Sequence, residues 1–522
     1  MKKLLHCLLT FLIVNTISAA VFQFSIPVTK GKETNHALIW IPQNAPKVRG
    51  VIMAGMTLME REFVKDEIIR RVCADENLAI IFLNCGLSSV DISQVLADLS
   101  TVSGYDELVR APLFFVGHSA GGPQAKACAI KYADRCFGLV LYRGGTPGGT
   151  NPVPPGIPVL MMLGQFDEFG GTMRDDSGRE TWEGGRDQLA AFRAADERNL
   201  GCIVVEPGAG HFGWSKRNAD YLALFIRKAA QSLLTSDGTL RPINHRSGWL
   251  TELPSRCPSS YSPACYEQYS GPKTNTSWHF DEELARATIN YHKDLNGKRD
   301  QFIRWADPVW VDAGARHFFT KISWVDDGQT FELHPVYADK YPGFYNGKGP
   351  RWIEAGKPVG HSEEPIFVKP VGGPVIAVNT NRLRIQFDAL APAGENVRVT
   401  FMAYSMGDSQ YRYTEQVGML PRGFFGLKSG KPQKITFSPL PRLKTDSPPV
   451  RLNATSDACL PVEFYVAYGP AIIKDGYLYL TELPIRAKYP IELKVVAWQF
   501  GRAIEPLVQT ANPVEQTTYI DK

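Results

Sequence analysis

From residue 36 to about residue 234, short apolar runs alternate with amphipathic stretches of helical period. The runs predict strands at Ala37–Ile41, Gly50–Ala54, Leu78–Asn84, Leu113–Gly117, Phe137–Tyr142, Val159–Gly164 and Cys202–Glu206. Several are continuously apolar (LAIIFLN, PLFFVG, PVLMMLG), the composition of parallel strands covered on both faces. Between them, residues 60–76, 91–104, 119–133, 182–199 and 216–233 carry helical periodicity. Such alternation predicts an α/β fold with a doubly wound, mostly parallel sheet.

The pattern changes after about residue 235. Residues 236–310 are irregular apart from a helix predicted at 281–294. Beyond them come period-2 runs at Phe318–Val325, Thr330–His334, Arg382–Phe387, Val397–Tyr404, Lys434–Phe437, Glu463–Tyr468, Tyr477–Leu480 and Glu492–Trp498. Asp327-Gly328 and Asp475-Gly476 punctuate them as hairpin turns do. This half therefore reads as one or two C-terminal β-sandwiches. The division expected is a leader over 1–20, an α/β catalytic domain over 21–235, a connecting region over 236–310, a β-rich domain over 311–430 and a last sandwich over 431–522.

Composition narrows this reading in three ways. The 57 basic and 53 acidic residues are nearly balanced and form no like-charge run, so no nucleic-acid partner is expected. The 46 glycines and 37 prolines are dense beyond residue 235, as turn-rich β structure requires. Met1-Lys2-Lys3, an apolar stretch over 4–14 and Ser18-Ala19-Ala20 together have the layout of an export signal cleaved after Ala20. Cleavage removes Lys2 and Lys3 and takes the net charge from +4 to +2. No other stretch is long and apolar enough to span a bilayer, so the expectation is an exported protein, periplasmic or secreted, without a transmembrane segment in the mature chain. Export permits disulfides. Cys257 and Cys265, bracketing CPSSYSPAC, are the first pair to consider, then Cys128 with Cys136 and Cys73 with Cys85; buried free thiols are the alternative for each. No CxxC or HExxH spacing points to a metal, and no cofactor is implied.

The chemistry concentrates at three strand ends. The run Leu113–Val116 leads directly into Gly117-His118-Ser119-Ala120-Gly121-Gly122 and then into a helical stretch. G-x-S-x-G in that context puts a serine hydroxyl at a sharp bend above the sheet, with a helix N-terminus behind it to stabilise an oxyanion. A serine hydroxyl needs a base, and the base needs an orienting carboxylate. Val159–Gly164 ends in Gln165-Phe166-Asp167-Glu168, and Cys202–Glu206 ends in Pro207-Gly208-Ala209-Gly210-His211. Ser119, Asp167 and His211 thus form the candidate catalytic set, with Glu168, Asp175 and Asp176 as other carboxylates of the same loop. The backbone N–H of Ala120 is the expected oxyanion donor, joined by that of Met56 in the loop after Gly50–Ala54. His118 is read as structural or pocket-lining. Arg143, just past Tyr142, is positioned either to bind an acidic substrate group or to pair with a neighbouring carboxylate. Tyr142, Phe169, Trp182, Phe212 and Trp214 lie near strand ends and either stack on sugar rings or fill the loop cores.

These three ordered motifs resemble the α/β-hydrolase superfamily over about residues 22–234. The resemblance implies a serine esterase forming an acyl-enzyme, with Ser119 attacking, His211 shuttling the proton and Asp167 fixing the imidazole. The Gly- and Pro-rich link between the strands at 137–142 and 159–164 is too short for the helical cap that many lipases and peptidases carry there. Lys434-Ile435-Thr436-Phe437, Leu460-Pro461-Val462, Gly469-Pro470-Ala471 and Val496-Ala497-Trp498-Gln499 with Gly501 are similar to bacterial immunoglobulin-like modules. An uncapped site on an exported protein with β modules suggests a small ester or an acylated or methyl-esterified polysaccharide as substrate. A serine peptidase, or a non-catalytic cell-surface binding protein on a hydrolase scaffold, is the alternative.

Overall fold

The computed structural model describes residues 21–30, 33–55, 58–167, 181–295, 297–307, 319–341, 344–345, 348–350, 356–394, 399–420 and 426–522. The expected leader, Met56, Glu168, Phe169, Asp175 and Asp176 lie outside these.

The apolar runs form strands β1 (Phe24–Lys30), β2 (Glu33–Trp40), β3 (Gly50–Gly55), β4 (Leu78–Leu83), β5 (Leu113–His118), β6 (Cys136–Tyr142), β7 (Val159–Gly164) and β8 (Gly201–Glu206). They make one sheet of order β1-β2-β4-β3-β5-β6-β7-β8, parallel from β4 through β8 and antiparallel at the β1–β2 and β2–β4 pairings. Side chains alternate between two cores. Met53, Ile81, Phe115, Leu139, Met161 and Ile203 face one, and Ile52, Ile80, Phe114, Val140, Leu160 and Val204 the other. Helices α3 (Ile92–Ser103), α4 (Gly121–Lys131) and α5 (Thr181–Ala195) contribute to the first, while α1 (Leu58–Lys65), α2 (Glu67–Asp75) and α6 (Lys216–Leu233) contribute to the second. This is the doubly wound arrangement of the α/β-hydrolase fold.

Two elements depart from the pattern-based expectation. β1 was not predicted; its apolar positions Phe24, Ile26 and Val28 alternate with solvent-facing ones and it carries Pro27, which an edge strand tolerates. The single helix expected over 60–76 breaks at Asp66, whose carboxylate accepts from the N–H groups of Ile68 and Ile69 and so starts α2 as a new helix.

The stretch read as irregular carries a three-stranded sheet of β9 (Trp249–Glu252), β10 (Ala264–Cys265) and β11 (Thr276–His279), followed by α7 (Glu282–His292). It covers the free edge of β8. The Ile203 N–H donates to Ser277 Oγ at 3.2 Å and the Val205 N–H to His292 Nε2 at 3.1 Å. Burial pushes the His292 imidazole down to about 3, so it is neutral and has an acceptor nitrogen to offer. Cys257 and Cys265 are free thiols rather than a bridge: the Cys257 N–H is held by Ser255 Oγ in an exposed loop, and Cys265 pairs in β10 opposite Trp249. Cys73, Cys85, Cys128 and Cys136 are buried free thiols.

The described part of the remainder is built mostly of short antiparallel strands, consistent with a β-sandwich. Thr400–Ser405 lies between Phe367–Gly372 and Thr414–Met419, and Val514–Asp521, Ile491–Trp498 and Glu463–Tyr468 run side by side in another sheet. Trp305, Phe331, Leu383, Phe401, Trp498 and Phe500 form their shared core. Asp475 and Gly476 both take positive φ in a two-residue hairpin turn, whereas Asp327 caps a longer turn by accepting from the N–H groups of Gln329 and Thr330. Among the described residues no helix is long and apolar enough to cross a membrane.

Candidate active site

β5 enters its turn with Gly117, where a Cβ would overlap the Gly121 carbonyl. Ser119 follows in the left-handed region at φ +53°, a conformation costing a non-glycine residue ~1–2 kcal/mol. The turn is held in place. The Ser119 N–H donates to Tyr142 O at 3.0 Å, and the Gly122 N–H returns to Ser119 O at 3.0 Å. α4 begins at Gly121, so the Ala120 N–H belongs to the first turn of a helix, whose donors lack intrahelical acceptors and carry its positive end.

The structure brings the three candidate residues together from three strand ends. His211 Nε2 lies 2.8 Å from Ser119 Oγ, and His211 Nδ1 lies 2.8 and 3.0 Å from the two oxygens of Asp167. Asp167 and His211 are buried. With Nδ1–H donated to the carboxylate, Nε2 is left to accept the serine proton. That is the geometry a nucleophile–base–orienter relay requires. The acid and base loops are also stitched to each other: the Phe166 N–H donates to Ala209 O at 2.8 Å and the Gly208 N–H to Gln165 Oε1 at 2.8 Å.

His118 is buried with its ring 4.9 Å from that of His211, and its Nε2 donates to His211 O at 3.0 Å. Burial, then the neighbouring His211, hold its imidazole well below the ordinary range, so it serves as a neutral strut. Its backbone N–H donates to Glu60 Oε1 at 2.7 Å. Glu60 on α1 is 1% exposed, and its other oxygen has no hydrogen-bond partner among the described residues. Burial raises its carboxyl to about 8.

Arg143 is buried among carboxylates. It is 3% exposed and sits at positive φ. It donates to Gly210 O and Glu206 and lies 3.4 Å from Glu415. Of the two roles its sequence position allowed, pairing with carboxylates is the one observed. Glu206 in turn accepts from Ser215 Oγ and Asn218 Nδ2, both at 2.7 Å. Trp214 is half-buried, donates from Nε1 to Asp66 at 2.9 Å, and has its carbonyl held by Lys369 Nζ at 2.8 Å. Tyr142 donates its hydroxyl to Gly213 O, Phe212 packs on the His211 ring and Trp182, on α5, fills the core.

Sequence reasoning missed Glu60 and a contribution from the β-rich half. Glu415, on Thr414–Met419, accepts the Gly210 N–H at 2.7 Å and the Tyr413 hydroxyl at 2.6 Å. It crowds Gly213, where a Cβ would strike the carboxylate. Next to it, Arg412 donates to Gln165 Oε1 at 3.1 Å and is paired with Asp300. A period-2 strand carries no mark of such contacts, so no local signal points to them. Among the described residues no group of three or more His, Cys, Asp or Glu side chains is disposed to hold a metal.

No family model matches this chain, and no curated protein matches it by sequence. Among solved structures it is similar to a hyperthermophilic esterase from the archaeon Pyrobaculum calidifontis, at 14% identity over 40% of this chain and 85% of that one, with a TM-score of 0.28. It is similar to an S-formylglutathione hydrolase from Agrobacterium tumefaciens at 13% identity over 40% of this chain and 93% of that one, with a TM-score of 0.29. A third likeness is to LpqC, a poly(3-hydroxybutyrate) depolymerase from Bordetella parapertussis, at 14% identity over 42% and 92% of the two chains, with a TM-score of 0.28.

Proposed function

We propose that this chain is an exported serine hydrolase that cleaves carboxylic esters, with acylated or methyl-esterified polysaccharides as the substrate class. The observation carrying the reading is the unbroken set of contacts from Ser119 Oγ through the His211 ring to the Asp167 carboxylate. His211 Nε2 takes the serine proton as Oγ bonds to the ester carbonyl carbon. The oxygen of the tetrahedral intermediate is received by the Ala120 N–H, with Met56 as the proposed second donor. His211 then delivers the proton to the departing alkoxide as its bond to carbon breaks, leaving an acyl-serine and a free alcohol. Water, deprotonated by the same imidazole, adds to the acyl carbon, and the serine leaves with the proton as the free acid forms.

The preference for a large substrate rests on the link between β6 and β7, which has no helix and is rich in Gly and Pro, so no cap of that origin covers the serine. Export through the leader over 1–20 and an immunoglobulin-like identity for residues 431–522 belong to the same proposal.

Purified wild-type protein is expected to hydrolyse p-nitrophenyl acetate, and Ser119→Ala to reduce kcat by ~10⁴-fold or more with an unchanged melting curve. Turnover retained in Ser119→Ala would remove Ser119 as nucleophile. Acetate and methanol release from a panel of esterified polysaccharides, with a peptide library alongside, then identifies the substrate. Cleavage of peptides alone would replace esterase with peptidase.

A further inference from the structure

We infer that Glu415, supplied by the β-rich half, is a positioning residue that holds His211 in the geometry of a base; the inference rests on the hydrolase reading above. The residue before His211 is held at both of its backbone polar groups. The Gly210 N–H is taken by Glu415 Oε1 at 2.7 Å, and the Gly210 carbonyl is taken by Arg143. The clamp is closed on itself, because Arg143 also faces Glu415 at 3.4 Å and Glu206 on the far side. Glu415 is fixed independently by the Tyr413 hydroxyl at 2.6 Å, and its side chain is 1% exposed.

The loop itself explains the need for such a clamp. Residues 208–210 read Gly-Ala-Gly, and Gly208 has φ +73°, so this stretch after Pro207 has little conformational preference of its own. His211 must nevertheless keep Nε2 within hydrogen-bond reach of Ser119 while Nδ1 stays on Asp167. Asp167 and His118 hold the ring and the His211 carbonyl, and the acid loop holds Gly208 and Ala209, but these contacts do not hold Gly210. Glu415 and Arg143 do. A displacement of the imidazole by about 1 Å costs on the order of 10²-fold in rate. The catalytic geometry is therefore completed by a strand more than two hundred residues away in sequence, and the β-rich half is part of the active site rather than an appendage to it.

The test compares the full-length wild-type chain with Glu415→Ala and Glu415→Gln. Three quantities are read: kcat and KM for p-nitrophenyl acetate, the melting curve, and the low-field proton resonance of the His211 Nδ1–H, assigned by its loss in Asp167→Asn. Glu415→Ala is expected to lower kcat by about 10²-fold, to change KM by less than about threefold and to broaden or abolish the low-field resonance. Glu415→Gln keeps an acceptor for the Gly210 N–H but not the charge facing Arg143, so a loss of about tenfold with a retained resonance is expected. A kcat and resonance equal to wild type in both variants overturn the inference. A loss confined to KM does so as well, because that marks a substrate contact. Should Glu415→Ala fail to fold, Glu415→Gln decides alone: kcat and resonance unchanged overturn the inference, and the tenfold loss supports it. Should wild type turn over no ester, the hydrolase reading falls, while the resonance still judges whether Glu415 orders His211.

Discussion

The parallel-sheet half and the β-rich half each bring a buried carboxylate to the candidate site, and the two are handled differently. Glu60, on α1, accepts the His118 N–H but has no partner for its second oxygen among the described residues, and burial raises it to about 8. Glu415, on a strand of the β-rich half, has Arg143, the Tyr413 hydroxyl and the Gly210 N–H around it. The first carboxylate touches the turn that carries Ser119, and the second touches the loop that carries His211. Within the parallel sheet a site residue needs only to follow a buried strand. Across the seam between the halves, a polar group has to be satisfied by partners from both sides before it can be buried at all.

That difference predicts where damage is greatest. Arg143→Met removes the guanidinium that Glu206 and Glu415 both face, and removing one partner of a buried ionic cluster costs about 3–5 kcal/mol. Urea unfolding at neutral pH is expected to show that loss. The double variant Arg143→Met/Glu415→Gln should recover part of it, because one of the two stranded charges is gone. Equal stability of the single variant and wild type would mean that the cluster does not tie the halves together.

Glu60→Gln is expected to act through pH. Glu60 holds its proton up to about pH 8 in the folded chain, whereas an ordinary carboxyl in the unfolded chain releases it near ~4.5. Between those values the native state binds the extra proton, so this residue makes stability fall as pH rises from ~4.5 to about 8 and then level off. The glutamine variant lacks that slope. Its unfolding free energy should match wild type near pH 5 and exceed it by a few kcal/mol near pH 9, in the sense set by ~1.4 kcal/mol per unit of offset. Parallel curves for the two proteins would show that Glu60 is charged in both states.

Much of the parallel half could be read from the chain, and the reasons are local. Leu78–Leu83, Leu113–His118 and Val159–Gly164 are continuously apolar because both faces of the sheet are covered, and each is followed by residues with few structural explanations for their type. Ser119, Asp167 and His211 were legible for that reason. Arg143 was visible as a charge at a strand end, but its burial was not, since the carboxylates that meet it lie 63 and 272 residues on. β9, β10 and β11 escaped because strands of two to four residues are too short to display a period. Glu60 escaped because an amphipathic helix with charges at Glu60, Arg61 and Glu62 does not announce which of them faces inward.

The smallest effect is expected where the added region contacts the sheet without reaching the site. β8 would otherwise be an open edge with outward N–H groups, a template for pairing with another chain. Ser277 Oγ and His292 Nε2 accept two of those N–H groups, from Ile203 and Val205. Ser277→Ala removes one acceptor at a position with no solvent exposure, which leaves a buried donor unsatisfied at a cost of about 1–3 kcal/mol. Because Ile203 lies in the middle of β8, away from the loop bearing His211, kcat for p-nitrophenyl acetate should stay within about twofold of wild type even as the unfolding midpoint drops. Glu415→Ala and Ser277→Ala therefore separate the two services of the C-terminal half. A large loss of kcat in Ser277→Ala would mean that covering the sheet edge and ordering the base loop are one function, transmitted along β8 from Ile203 to Glu206 and the Arg143 cluster.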